Sequence, residues 1–474
     1  MKKYPVYLNG DWVVSQDTIP VSNPATGNVF ARMSTVRREE MDQAIGAAHA
    51  AFGPWRRLPA KMRGDLLRKA ASELHAHRDD VARAITLENG KPLYQSQGEV
   101  ALAVDHLNWF AEEARRTYGR LVPHQADGKR HLVIMSPVGV VGAISPWNFP
   151  LMLAVRKAAA ALAAGCPVIL KPSSRTPLSA VALAECMHAA EIPRGVFQLV
   201  LGPAEEIAAA YLENPLCRKI SFTGSTEVGR ELIAGASKYV KPLALELGGH
   251  APVLVFEDCN LNEAVKETMT AKFRNGGQSC IAVNRVYVQR PIYRVFLDLL
   301  VEKTRALKTG DGLDPEVQIG PMIDEEAVIK ATEHVSDALQ GGAKLLCGGN
   351  CIMQPGYFLE PTVLADVPRS SLCMFEETFA PVLAVTPFDT EAEGIGLANN
   401  SSYGLSAYVF TQDLSRAFRL MEELEAGIIG INDGLPTTSQ CPFGGMKQSG
   451  WGRELGSEGI EAFLETKHIS ISID

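Results

Sequence analysis

Apolar residues recur at intervals of three and four through the first hundred positions. Met41, Ala44, Ile45, Ala48 and Phe52 fall on one helical face, so the spacing predicts an amphipathic helix there. The same period covers 62–75 and 80–88, and the second run stops at Asn89-Gly90 with Pro92 beyond it. Glycine takes the left-handed turn that ends a helix without steric penalty, and proline cannot continue one. A further helix is expected over about 99–117. From about residue 133 the rhythm changes to short apolar runs at 138–144, 167–170, 195–201, 219–222 and 242–247, alternating with helical stretches at 151–164, closed by Gly165, and 178–190. Such alternation predicts βαβ units, a parallel sheet with helices on its faces. A second alternating block over about 251–431 predicts a second α/β domain. The tail closes on His468-Ile-Ser-Ile-Ser-Ile-Asp, an alternating strand with nothing after it to pair with locally. It is expected to add to another sheet, a partner subunit's included.

Composition narrows the function classes. The chain has 474 residues, room for two or three domains. Lys and Arg number 46 against 54 Asp and Glu, a net charge of −8 that gives no reason to expect a nucleic-acid partner. The opening MKKYPVYLNGDW has no apolar run behind its lysines and reads neither as a secretory signal nor as a transit peptide. The longest apolar run, 158–170, is too short to cross a bilayer and is broken by Gly165 and Pro167. A cytoplasmic protein with no membrane partner is therefore expected. Nine scattered cysteines point to a reducing compartment. Cys347 and Cys351 stand closest together, but no ligand follows at metal spacing, so no metal site is expected.

Three residues have the chemistry of a covalent catalyst. Cys280, in Lys272-Phe-Arg-Asn-Gly-Gly-Gln-Ser-Cys280, follows a Gly-Gly turn that can present it with its own N–H free; most cysteines taken singly are small buried hydrophobes. Glu246 ends the apolar run Leu-Ala-Leu-Glu246-Leu-Gly-Gly. Burial there would raise its proton affinity and suit it to general-base work, and a salt-bridged core glutamate fits the same spacing. Asn148, in Ser-Pro-Trp-Asn148-Phe-Pro, sits between prolines that stiffen the backbone. A rigid amide suits an oxyanion hole; a turn asparagine satisfying its own backbone is the alternative. Phe222-Thr-Gly224-Ser225-Thr-Glu-Val-Gly229 follows a strand and opens a helix, whose free N–H groups attract phosphate. Its glycine spacing is not that of the usual dinucleotide fingerprint, so alone it is a weak signal.

Together with Lys171-Pro-Ser-Ser, Glu376-Glu377-Thr-Phe379-Ala-Pro and Pro442-Phe-Gly-Gly, these segments resemble the aldehyde dehydrogenase superfamily over essentially the whole chain. The resemblance implies an α/β fold of the aldehyde dehydrogenase type: two doubly wound α/β domains plus a small β oligomerisation element. It assigns 1–118 and 138–248 to a dinucleotide-binding domain, 249–447 to a catalytic domain, and 119–137 with 455–474 to the oligomerisation element of a homodimer or homotetramer. It implies that Cys280 attacks the aldehyde carbon, that Asn148 and the Cys280 N–H hold the oxyanion, and that Glu246 activates the hydrolytic water. It places Lys171 at the adenosine ribose, Gly224 and Ser225 at the pyrophosphate, Glu377 on the nicotinamide ribose, Phe379 beside the nicotinamide and Trp147 along the cofactor cleft. NAD-preferring members often carry Glu where this chain has Ser174. With Lys171 and Arg175 nearby, a serine there is expected to admit a 2′-phosphate, so NADP should be used besides, or ahead of, NAD.

Within the superfamily the chain most resembles succinate-semialdehyde dehydrogenases. In these, two arginines bind the distal carboxylate, and they map to Arg156 and Arg274; structural ion pairs are the alternative reading. The substrate-contacting serine corresponds to Thr437, whose extra methyl narrows the pocket, and Ala282 replaces a second cysteine that some members use as a redox switch. Glutarate semialdehyde, 2-oxoglutarate semialdehyde and general aliphatic aldehydes stay open as substrates, because one methylene changes affinity only modestly. Two other classes compete: a cofactor-independent thiol esterase using the same cysteine, and a catalytically silent protein on the same fold.

Overall fold

The computed structural model describes residues 1–473. Its first large sheet has eight strands in the spatial order Gly450–Trp451, Leu243–Glu246, Cys217–Thr223, Val140–Ile144, Val168–Lys171, Phe197–Leu199, Val6–Leu8 and Asp11–Val13. The five from Leu243–Glu246 to Phe197–Leu199 are parallel. Val140–Ile144 comes first of these in the chain and lies between the others. The chain winds outward from it to Phe197–Leu199, then crosses back to Cys217–Thr223 on its other side. That reversal opens a crevice at the carboxyl ends of Val140–Ile144 and Cys217–Thr223, where open α/β sheets bind ligands.

Helix Met152–Ala164 explains the long apolar run. All thirteen of its residues are buried, and Gly165 (φ +100°) ends it in the left-handed conformation. Its carboxyl end is tied down by Trp55 Nε1, which donates to Leu162 O at 3.2 Å, and Arg63 Nε, which donates to Ala163 O at 3.1 Å. An arginine at the negative end of a helix dipole is favourably placed.

The second large sheet runs Lys344–Cys347, Thr362–Ala365, Val382–Phe388, Val283–Gln289, Ala251–Val255, Ser406–Phe410 and Ile428–Ile431, parallel except for Lys344–Cys347. Only the segment 247–250 joins Leu243–Glu246 to Ala251–Val255. Carboxyl ends of the first sheet therefore face amino ends of the second.

The terminal strand adds to another sheet, as expected, and does so within its own chain. Leu464–Ser472 pairs antiparallel with Lys129–Pro137 over nine residues, and Arg120–Val122 completes the small sheet. Leu121, Ile134, Ile469 and Ile471 are exposed on it. The first residues also form strands that the hydrophobic pattern did not announce. Lys2–Tyr4, Val29–Ser34 and Thr18–Ser22 make a separate sheet, while Val6–Leu8 and Asp11–Val13 extend the first one. No helix among the described residues is long and apolar enough to cross a membrane.

Candidate active site

A cleft of about 580 Å³ opens between the two large sheets, and Trp147, Asn148, Gly224, Ser225, Cys280, Glu377 and Phe379 all line it. Asn148 belongs to the turn after Val140–Ile144, and a buried ion pair holds that turn. Lys91 Nζ donates to Glu99 Oε2 at 2.7 Å and to Asn148 O at 2.6 Å, with neither Lys91 nor Glu99 exposed. The other Glu99 oxygen accepts the Leu151 and Met152 N–H groups at 3.0 and 3.2 Å, at the start of helix Met152–Ala164. Asn275 Nδ2 donates to the same Asn148 carbonyl at 2.9 Å. Asn148 Nδ2 donates to Gln278 O at 3.2 Å. The amide is thus fixed beside the cysteine loop.

Cys280 reaches the cleft through three successive left-handed residues, Asn275 (φ +52°), Gly276 (φ +62°) and Gly277 (φ +77°). A Cβ on Gly277 would lie 2.3 Å from Ala380 O, so glycine is required there twice over, by conformation and by space. Gln278 locks the loop: its Nε2 donates to Asn275 O and Pro321 O at 3.1 and 3.2 Å, and its Oε1 accepts the Ile323 N–H at 2.9 Å. Gly249, from the Glu246-Leu-Gly-Gly segment, presses against the cysteine backbone; a Cβ on it would lie 2.1 Å from Cys280 O. Burial pushes the Cys280 thiol up to about 12, the Glu377 charge adds to this, and the Arg156 charge opposes it. Burial here favours the thiol over the thiolate.

Glu246 ends strand Leu243–Glu246 beneath this loop and is buried, with Oε2 unpartnered. Burial lifts its pKa well above the usual carboxylate range and the Glu454 charge lifts it further, while Lys157, Arg156 and Arg453 oppose. It does not line the open cleft, yet its charge acts on the Cys280 thiol. Sulfur and amide thus share the cleft, and the carboxylate is buried outside its lining, with its charge bearing on the sulfur.

The other side of the cleft offers a helix N-terminus and side chains that could hold a dinucleotide. Ser225 caps helix Thr226–Ser237, its hydroxyl accepting the Val228 N–H at 3.3 Å. The first N–H groups of that helix stay available to an anion. Gly229 lets the helix sit on the sheet, since a Cβ there would lie 2.6 Å from Leu247 Cδ2. Across the cleft, the Gly249 N–H donates to Glu377 Oε1 at 3.0 Å and Lys330 Nζ to Glu377 O at 2.7 Å. Burial pushes Glu377 up to about 7. Phe379 adopts φ +54°, unusual for a bulky residue, and meets Trp147 edge-on at 5.5 Å. Lys171 is buried at its strand end, its ammonium pushed down to about 8 by desolvation and donating to Pro172 O at 3.3 Å. Ser174 is half-buried, and Arg175 is exposed at the cleft mouth.

The two arginines that the resemblance assigns to the substrate are placed differently. Arg274 and Thr437 line a second cavity of about 630 Å³ together with Gly98 and Leu102. The Arg274 guanidinium lies 4.7 Å from the centre of the Phe149 ring, next in the chain to Asn148. Arg156 is buried nearer the reacting groups: its charge acts on Cys280 and Glu246, its Nη1 is 3.9 Å from Glu454 Oε2, and its Nε and Nη1 have no hydrogen-bond partner.

The model of the aldehyde dehydrogenase family matches residues 12–469. The chain belongs to the aldehyde dehydrogenase family. A succinate-semialdehyde dehydrogenase [NADP(+)] of Escherichia coli is 47% identical to it over 98% of this chain and 97% of the relative. A glutarate-semialdehyde dehydrogenase of Pseudomonas aeruginosa is 46% identical, with the same coverage. The crystal structure of an aldehyde dehydrogenase from Brucella melitensis biovar abortus superposes with a TM-score of 0.98 at 46% identity, covering 99% of this chain and 98% of that one. The expected α/β fold is thus the observed one, and the chain is a nicotinamide-dependent aldehyde dehydrogenase acting on a small-molecule aldehyde.

Several residues around this aldehyde dehydrogenase site were not singled out in the sequence: Lys91, Glu99, Lys157 and Glu454. Lys157 Nζ meets Glu454 Oε1 at 2.6 Å across 297 residues of chain. The available signal was Arg156-Lys157 inside an otherwise apolar, fully buried helix. Charges in such a place require partners.

Proposed function

We propose that this aldehyde dehydrogenase oxidises a short semialdehyde, succinate semialdehyde foremost, to the corresponding diacid. The observation that carries the substrate reading is Arg156, a buried guanidinium whose Nε and Nη1 have no hydrogen-bond partner and only a 3.9 Å ion pair to Glu454, with Arg274 facing the second cavity. Unpaired buried donors are costly, and a bound carboxylate satisfies them.

The Cys280 sulfur, its proton released to water, attacks the aldehyde carbon as the thiolate, which the Arg156 charge favours. The oxyanion of the thiohemiacetal accepts hydrogen bonds from Asn148 Nδ2 and the Cys280 N–H, both held by the rigid loops around them. Bound nicotinamide supplies the hydride acceptor. Cys280 then carries a thioester, and Glu246, with its raised proton affinity, takes the proton from the water that cleaves it. Glu377, Phe379 and Trp147 position the nicotinamide end, and Gly224 and Ser225 the pyrophosphate. Lys171, Ser174 and Arg175 flank the adenosine ribose, where the absence of a carboxylate at Ser174 admits NADP. Thr437 borders the substrate tail. The small sheet of Arg120–Val122, Lys129–Pro137 and Leu464–Ser472, with its exposed isoleucines, joins subunits into a homodimer or homotetramer, and the enzyme acts in the cytoplasm.

Steady-state turnover of succinate semialdehyde against butanal, a neutral aldehyde of equal length, tests this. The acid should be preferred by about a hundredfold in kcat/KM, the worth of a charge-assisted pair. Equal values would remove the semialdehyde reading. Glutarate semialdehyde belongs in the same series as the second candidate, supported by the 46% identical relative.

A further inference from the structure

An ion pair crosses the mouth of the cofactor cleft. Arg175 lies in the turn after strand Val168–Lys171 of the first sheet. Asp324 is the N-cap of helix Glu325–Gln340, in the half of the chain that carries the second sheet. Arg175 Nη1 lies 2.5 Å from Asp324 Oδ2, and its Nη2 lies 3.7 Å from Glu326 Oε2. All three side chains line the cleft. Asp324 is also engaged with its own helix, Oδ1 accepting the Ala327 N–H at 2.9 Å. Farther along that helix, Lys330 Nζ donates to Glu377 O, and His334 Nδ1 lies 3.1 Å from Thr378 Oγ1. The helix thus links the cleft mouth to the loop of Glu377 and Phe379.

These two carboxylates oppose what Ser174 and Arg175 favour. In dinucleotide folds the turn after the second strand faces the ribose 2′ position, where an arginine accommodates a 2′-phosphate. That group brings nearly two negative charges. Here the exposed guanidinium already has a carboxylate partner, and the Lys171 ammonium is turned to the Pro172 carbonyl. We infer that Asp324, backed by Glu326, is a specificity-determining residue that competes with a cofactor 2′-phosphate for the Arg175 guanidinium. NAD leaves the bridge between the two halves closed. NADP takes Arg175 from Asp324 and opens it. The inference rests on the reading above that Ser174 and Arg175 flank the adenosine ribose. Side-chain exposures of 42% and 24% keep the pair in screened surroundings, so its effect is several-fold, not orders of magnitude.

Asp324→Asn separates charge from structure, because asparagine caps helices as well as aspartate does. The measurement is calorimetric binding of AMP and of adenosine 2′,5′-bisphosphate to the full-length protein. In Asp324→Asn the Kd for the bisphosphate should fall about fivefold relative to that for AMP. In an Arg175→Gln background the same substitution should change the ratio by less than about twofold. An unchanged ratio in Asp324→Asn overturns the competition. An equal gain without Arg175 also overturns it, since the cause would then be general relief of negative charge. Ser174→Glu tests the underlying reading separately: it should weaken the bisphosphate by about tenfold or more and spare AMP. If it spares both, the ribose placement itself is wrong.

Discussion

Replacing Gly249 by alanine adds one methyl group and should disable the site. The new Cβ would lie 2.1 Å from the Cys280 carbonyl oxygen, where ordinary contact begins near 3.4 Å. One of the two backbones must therefore move by about an ångström. Neither can do so alone: Gly249 N–H is bonded to Glu377 Oε1, and the Cys280 loop is held by the three Gln278 hydrogen bonds. Any movement misaligns Cys280, the proposed nucleophile, or the Glu377 carboxylate. A misplacement of about 1 Å costs roughly a hundredfold in rate, while overpacking costs about 1–3 kcal/mol of stability, so the enzyme should fold and turn over about a hundred times more slowly. Stopped-flow formation of reduced cofactor gives the chemical step, and circular dichroism checks folding. Gly396→Ala is the control, since nothing lies within 4 Å of its added carbon and it sits in helix Glu391–Asn399. It should be neutral or stabilising by up to about 1 kcal/mol. A folded Gly249→Ala protein with kcat within threefold of the parent would refute the reasoning.

Lys91→Met leaves Glu99 buried without its partner and frees the Asn148 carbonyl. It should cost about 3 kcal/mol in urea unfolding, and a loss under 1 kcal/mol would mean the pair is dispensable. Cys280 is pushed up to about 12, so below that value its reactive thiolate rises with pH. Iodoacetamide inactivation of the cofactor-free enzyme should accelerate about tenfold per unit between about pH 7 and 9; a flat profile would place a thiolate there already. Glu246→Gln should retain a burst of reduced cofactor while steady-state turnover falls about 10²–10⁴-fold. Loss of the burst itself would assign Glu246 to the attack step. Because burial raises the Glu246 pKa, its base form increases with pH, and kcat should climb through the value in the complex and then level off.

Much of the fold could be read from the chain because long periodic elements carry their own signal. Arg38–Arg57, Ala60–Ala76 and Arg78–Asn89 lie where apolar spacing places helices, and Gly90 (φ +91°) ends the third as its sequence predicts. Val6–Leu8 and Asp11–Val13 were not legible: three residues are too few to display an alternation, and Val6–Leu8 joins its sheet through a Tyr7–Leu199 pairing distant in sequence. Much of the site's chemical company was hidden for the same reason. Cys280, Asn148 and Glu246 sit in recognisable local segments, but Glu454 matters through Lys157, and Asp324 through Arg175, contacts that only the folded chain creates.

The meeting of opposed sheet ends divides the proposed reacting groups between two bodies. Asn148 and Glu246 hang from the carboxyl ends of one sheet, while Cys280 and Glu377 enter the amino ends of the other, with only residues 247–250 as the direct covalent bridge between Leu243–Glu246 and Ala251–Val255. Neither body owns a complete set of groups. A rotation of a few degrees at that seam shifts Cys280 relative to Asn148 and Glu246 while leaving those two fixed relative to each other, so turnover serves as a strain gauge for how firmly the halves are seated.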